Sequence, residues 1–120
     1  AQMYNYFKFS KLEVKGEPSE AEGIGQYRVT NNVEPSLVDF SYHITDYKAF
    51  ELLYKMVKTE GLFLGSSSGV NVAGAIEMAK EMGPGKNIVT ILCDDANKYF
   101  SKLYNKNYLL SKKLPVPDWL

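Results

Sequence analysis

Three consecutive serines lie between two glycines at Gly65-Ser66-Ser67-Ser68-Gly69, directly after the apolar run Leu62-Phe63-Leu64. Hydroxyls both donate and accept hydrogen bonds, and glycine lets a backbone approach a ligand closely. The small-residue stretch after them, VNVAGAI, reads as a helix whose first turn leaves N–H groups free. In open α/β sheets ligands bind at the carboxyl ends of strands, and a helix N-terminus there suits polar or anionic atoms. A second such stretch, Cys93-Asp94-Asp95-Ala96-Asn97, ends the run NIVTILC. A third is the loop Gly23-Ile24-Gly25. Each has a plainer reading on its own. Serines favour turns and caps, adjacent carboxylates point apart and suit capping, and a thiol ending an apolar strand reads as buried and inert. His43, between Tyr42 and Ile44, reads as structural.

These groups need elements to hold them. From Asp46 the apolar residues Ala49, Leu52, Leu53, Met56 and Val57 recur at helical spacing, with Thr45 as cap and Gly61 as stop. Leu62–Leu64 reads as a short strand. The next helix is predicted to start near Ser68 or Gly69 and to run to Met82, before Gly83-Pro84-Gly85. Asn87–Cys93, apolar and rich in β-branched residues, reads as a strand of a sheet covered on both faces. A last helix is predicted over Lys98–Tyr104, and the tail LPVPDWL is expected to dock through Trp119. The first 20 residues give no clear element. Helix, strand, helix, strand, helix implies an α/β fold with a doubly wound, mainly parallel sheet in three layers, incomplete by itself. Sequential strands of one βαβ unit end on the same sheet edge. The loops at Ser66–Ser68 and Asp94–Asn97 are therefore expected to face one crevice.

Composition narrows the function. The chain has 120 residues, enough for one domain without an internal boundary, and 14 basic side chains balance 14 acidic ones. Such a balance leaves no electrostatic footprint for nucleic acid or an anionic membrane. No apolar run is long enough to span a bilayer. Cys93 is the one cysteine, which points to a cytoplasmic setting, and no metal-ligand cluster stands out. The opening AQMYNYFKFS, without an initiator methionine, suggests a piece of something longer.

Three blocks, in order, carry a resemblance: EGIG at Glu22–Gly25, EGLFLGSSSGVNVAGAI at Glu60–Ile76, and GPGKNIVTILCDDANKYFSKLYN at Gly83–Asn105. Together they resemble the C-terminal part of the cysteine synthase and cystathionine β-synthase family, pyridoxal-phosphate enzymes of the tryptophan-synthase-β type. The resemblance implies pyridoxal 5'-phosphate as cofactor. It assigns Ser67, flanked by Gly65 and Ser66, to the pyridine nitrogen, with Cys93 and Asp94 beside the ring. A neutral hydroxyl there would leave the nitrogen largely unprotonated and favour β-elimination over transamination. Gly23, Ile24 and Gly25 would form a loop near cofactor and substrate. The resemblance places the Schiff-base lysine upstream, with the substrate-carboxylate loop and the phosphate cradle, so this chain would hold no catalytic residue of its own. Ala96 stands where the family usually has glycine and Lys98 where it often has arginine.

The chain would then be the C-terminal part of the large cofactor-binding domain, inactive alone. It would need the N-terminal remainder of the enzyme, act on a small amino-acid substrate and belong to a homodimer. The implied reaction is O-acetylserine plus sulfide giving cysteine and acetate. Two alternatives stand: a cystathionine β-synthase-like enzyme, and a non-catalytic fragment that complements a separate N-terminal chain. A nucleotide-binding domain is disfavoured by the absence of a phosphate-loop lysine and of G-x-G-x-x-G after a strand.

Overall fold

The computed structural model describes residues 2–13, 18–24 and 28–120. Four α-helices form among them: α1 (Gln2–Phe9), α2 (Asp46–Glu60), α3 (Ser66–Met82) and α4 (Lys106–Ser111), with a 3-10 turn at Ala96–Tyr99. The aromatic opening of the chain thus becomes α1.

Helix α2 obeys its sequence signals. The Thr45 side chain accepts from the Lys48 N–H, and Gly61 closes the helix by donating to the Met56 and Val57 carbonyls. Its apolar stripe buries Ala49, Phe50, Leu53, Tyr54 and Met56. Helix α3 packs against α2 at Gly69, where an added Cβ would lie 2.6 Å from the Ala49 carbonyl oxygen and 2.8 Å from Leu53 Cδ1. That close approach is what requires glycine. Lys48 bridges the pair at its surface by contacting Glu77, which also takes Lys80.

Phe50, Leu53, Leu103 and Leu109 are the largest fully buried apolar side chains, joined by Ala21, Tyr54, Ala96, Tyr99 and Tyr104 in one core. Tyr54 donates to the Leu103 carbonyl at 2.7 Å and Tyr104 to the Leu64 carbonyl at 2.7 Å. Burial pushes both phenols up from their ordinary pKa, so they remain donors at all physiological pH. Trp119 docks as expected, edge-on to Tyr54 and stacked on Tyr104.

The expected strands are not formed among the described residues. Residues 62–64 and 87–93 form no ladder, and a single isolated antiparallel bridge joins Leu64 to Asp95, just past the second run. A ladder needs neighbours on its edges, and the run at 87–93 leaves Val89 94% and Ile91 71% exposed. The helix predicted over Lys98–Tyr104 is replaced by the 3-10 turn at Ala96–Tyr99 and further turns to Tyr104. Helix α3 begins two or three residues earlier than predicted, because Gly65 takes the N-cap position.

Candidate functional site

The first turn of α3 is built from the three serines. Gly65 has no side chain to cap with, and Ser66 and Ser68 are fully buried while Ser67 is partly exposed. Ser68 does not cap the helix. Its Oγ accepts from the Cys93 N–H at 2.9 Å. Further bonds stitch the same two segments. Gly65 N–H donates to the Asp94 carbonyl at 2.8 Å, Ala96 N–H to the Phe63 carbonyl at 3.1 Å, and Asn71 Nδ2 to the Ile91 carbonyl at 2.9 Å. The serine turn and the Cys93–Asn97 loop therefore meet, as a shared crevice requires.

Ser66 Oγ is the exception in this seam. It is buried and has no hydrogen-bond partner among the described residues. A buried hydroxyl without a partner costs about 1–3 kcal/mol, a cost that a bound polar group would remove.

The Asp94 carboxylate accepts from the Tyr99 hydroxyl at 3.0 Å and from Lys98 Nζ at 3.2 Å. These two partners, the Tyr99 hydrogen bond foremost, hold its carboxyl below the usual range, so it is ionised at neutral pH. Asp95 takes the capping role, accepting from the Asn97 N–H at 2.8 Å. Only one of the adjacent carboxylates caps. Cys93 is exposed rather than buried, with Asn71 Nδ2 3.6 Å from its sulfur.

Tyr99 joins the two halves of the site and has no role in the sequence reading. Its ring lies over Gly65, where an added Cβ would sit 2.5 Å from Tyr99 Cε2. Its pKa is pushed up by burial and by Asp94. The only sequence signal was an aromatic five residues after Asp94, too weak to assign.

Gly23 adopts the left-handed conformation (φ +75°), which favours glycine in the turn, and no described residue lies within 4 Å of an added Cβ. Ile24 packs against the core. Gly25 lies outside the described residues. His43 is exposed and stacks at 5.7 Å on Tyr4. A hollow of about 330 Å³ lined by Tyr4, Phe7, Phe40, Tyr42 and His43 shares no residue with the serine turn. Among the described residues no cluster of His, Cys, Asp and Glu could hold a metal ion, and no helix is long and apolar enough to cross a membrane.

Comparison with known proteins gives this geometry a context. A family model described as "Pyridoxal-phosphate dependent enzyme" matches residues 1–94. The chain is 43% identical to cysteine synthase 1 of Emericella nidulans over 106 residues, covering 87% of this chain and 29% of that protein. It is 44% identical to cysteine synthase 2 of Schizosaccharomyces pombe over 99 residues, 81% of this chain and 25% of that one. An O-acetylserine dependent cystathionine β-synthase of Bacillus subtilis is 40% identical over 89 residues, 72% of this chain and 29% of that one. The chain thus spans between about a fifth and a third of the length of the curated relatives it matches.

Proposed function

The chain belongs to the family of pyridoxal-phosphate-dependent enzymes, an α/β family, and from that membership we propose that it is the C-terminal part of the large cofactor-binding domain of a cysteine synthase. The reaction is replacement of the acetoxy group of O-acetylserine by sulfide, giving cysteine and acetate. Identities of 41–44% to named cysteine synthases over most of the chain support this reading. The observation that carries it is the seam between the serine turn and the Cys93–Asp94 loop, with its one unsatisfied buried hydroxyl, Ser66 Oγ.

That seam fits a polar heteroaromatic group. Ser67, with Gly65 and Ser66, would face the pyridine nitrogen, and Cys93 and Asp94 would flank the ring. When bound, pyridoxal phosphate supplies the electron sink that lets a β-substituent leave. Asp94 holds its charge through Tyr99 and Lys98, so it sets the local field instead of shuttling protons at neutral pH. Gly23, Ile24 and Gly25 form the substrate loop. The lysine that anchors the cofactor lies on the preceding part of the enzyme, which also completes the sheet. Residues 62–64 and 87–93 become strands of a doubly wound parallel sheet in that context. The exposed Val89 and Ile91 support this. A homodimer and the cytoplasm complete the proposal, the latter supported by a single cysteine.

The Bacillus relative's name favours a second reading, with homocysteine as the incoming nucleophile. Assaying the longer enzyme with O-acetylserine and either sulfide or homocysteine separates the two. Cysteine formation exceeding cystathionine formation is expected; the reverse ratio would move the proposal to the second reading. The 120-residue chain alone is expected to give neither product, and to retain no borohydride-fixed pyridoxal phosphate on any one lysine.

A further inference from the structure

Residues 18–22 are neither helix nor strand, yet polar contacts converge on them from distant elements. Ser19 Oγ donates to Asp46 Oδ1 at 2.6 Å, and the Glu20 N–H donates to Asp46 Oδ2 at 2.6 Å. Ala21 N–H donates back to Ser19 Oγ at 3.1 Å. The Glu20 carboxylate accepts from the Tyr108 hydroxyl and from Lys112 Nζ, the latter at 2.6 Å, and Glu22 pairs with Lys102. The start of α2, helix α4 and the turn before it thus grip one short segment. Fixing the backbone costs conformational entropy, so an irregular segment stays ordered only where contacts offset that cost.

The left-handed turn at Gly23 comes directly after the gripped segment. Ala21 is 4% exposed and shares its core with Ala96 and Tyr99, the residues that carry the Asp94 loop. Glu22 lies near enough to Tyr99 for its charge to help raise that phenol's pKa. The segment is therefore tied to the seam on one side and to α2 and α4 on the other.

We propose that Asp46 and Glu20, with Tyr108 and Lys112, form a latch that fixes the Gly23–Ile24 turn, which the cysteine synthase reading assigns to the substrate loop, and so sets the fit of the amino-acid substrate. Asp46 and Glu20 are positioning residues: they act through the turn. The proposal rests on the cysteine synthase reading for its substrate and on geometry alone for the latch.

The test uses Asp46→Ala, its conservative counterpart Asp46→Asn, which keeps an acceptor, and Tyr108→Phe, which keeps the ring. Thr45 still caps α2 in all three. Amide exchange at Ala21 and Gly23 in the chain is expected to quicken about tenfold in Asp46→Ala and less in Asp46→Asn, with Ala73 in α3 unchanged. In the longer enzyme KM for O-acetylserine is expected to rise about tenfold in Asp46→Ala and in Tyr108→Phe, with kcat and the cofactor absorbance unchanged. Asp46→Asn should recover most of it. Unchanged exchange at Ala21 and Gly23 would overturn the latch, as would an unchanged KM. Parallel loss at Ala73, in kcat and in absorbance would also overturn it, showing a merely structural role. If the unaltered enzyme does not turn over O-acetylserine, the functional reading fails, and the exchange result still decides the latch.

Discussion

Glu20 shows how a single half-buried carboxylate reports on the fold. Lys112 and Tyr108 hold its carboxyl below its ordinary value of 4.5. A folded-state pKa below the unfolded one means the unfolded chain binds more protons across that interval. Its contribution is therefore complete above pH 4.5 and is lost as pH falls through the lowered value. Thermal unfolding tracked from pH 7 to pH 3 should show a melting temperature that falls less steeply below pH 4.5 in Glu20→Gln than in the unaltered chain. Equal slopes would mean that the Lys112 and Tyr108 contacts do not persist in solution. Lys112 has the opposite sign. Its pKa is raised by Glu20, so its share persists through neutral pH and is lost only as pH rises through the alkaline range.

Among the elements, the α2–α3 pair is the framework on which the serine turn rests. Gly69 is where they touch, and Gly69→Ala sets a methyl group 2.6 Å from a backbone oxygen that has no flexible side chain to move. Overpacking of this kind costs about 1–3 kcal/mol, so urea denaturation should find Gly69→Ala less stable than the parent by that amount. Gly74→Ala, where nothing lies within 4 Å, should match or exceed the parent. The bounds of helix α2 were legible in the sequence, because its Thr45 cap and its Gly61 stop are local signals; its buried face is rotated from the expected stripe, with Phe50 and Tyr54 buried while Leu52 and Val57 are only half-buried. The start of α3 was not, since a serine and a glycine can both occupy an N-cap and the sequence does not say which one does. The run NIVTILC has strand chemistry, but a ladder depends on neighbours that local sequence does not supply. The same limit hid the Ser68 bond to Cys93 and the Tyr99 ring over Gly65, which join residues 25 and 34 positions apart. The meeting of the serine turn with the Asp94 loop was legible from the order of elements alone.

At the scale of the molecule, too much apolar surface remains outside. The accessible surface is 8288 Å², against about 6,600 Å² for a compact monomer of this mass. Val89 and Ile91 account for part of it on one extended run. Exposed apolar edges of this kind associate, so the 120-residue chain should sediment as more than a monomer, and Val89→Lys with Ile91→Lys should shift it toward monomer. In the proposed function the seam between the serine turn and residues 93–94 forms one wall of the cofactor pocket. Cys93 is an exposed thiol at that seam and the chain's one cysteine. The most direct measurement is the alkylation rate of Cys93 in the longer enzyme, read by peptide mass spectrometry with and without pyridoxal phosphate. Bound cofactor is expected to slow alkylation of Cys93 about tenfold or more, in proportion to cofactor occupancy. An unchanged rate at full occupancy would contradict it and place the cofactor elsewhere.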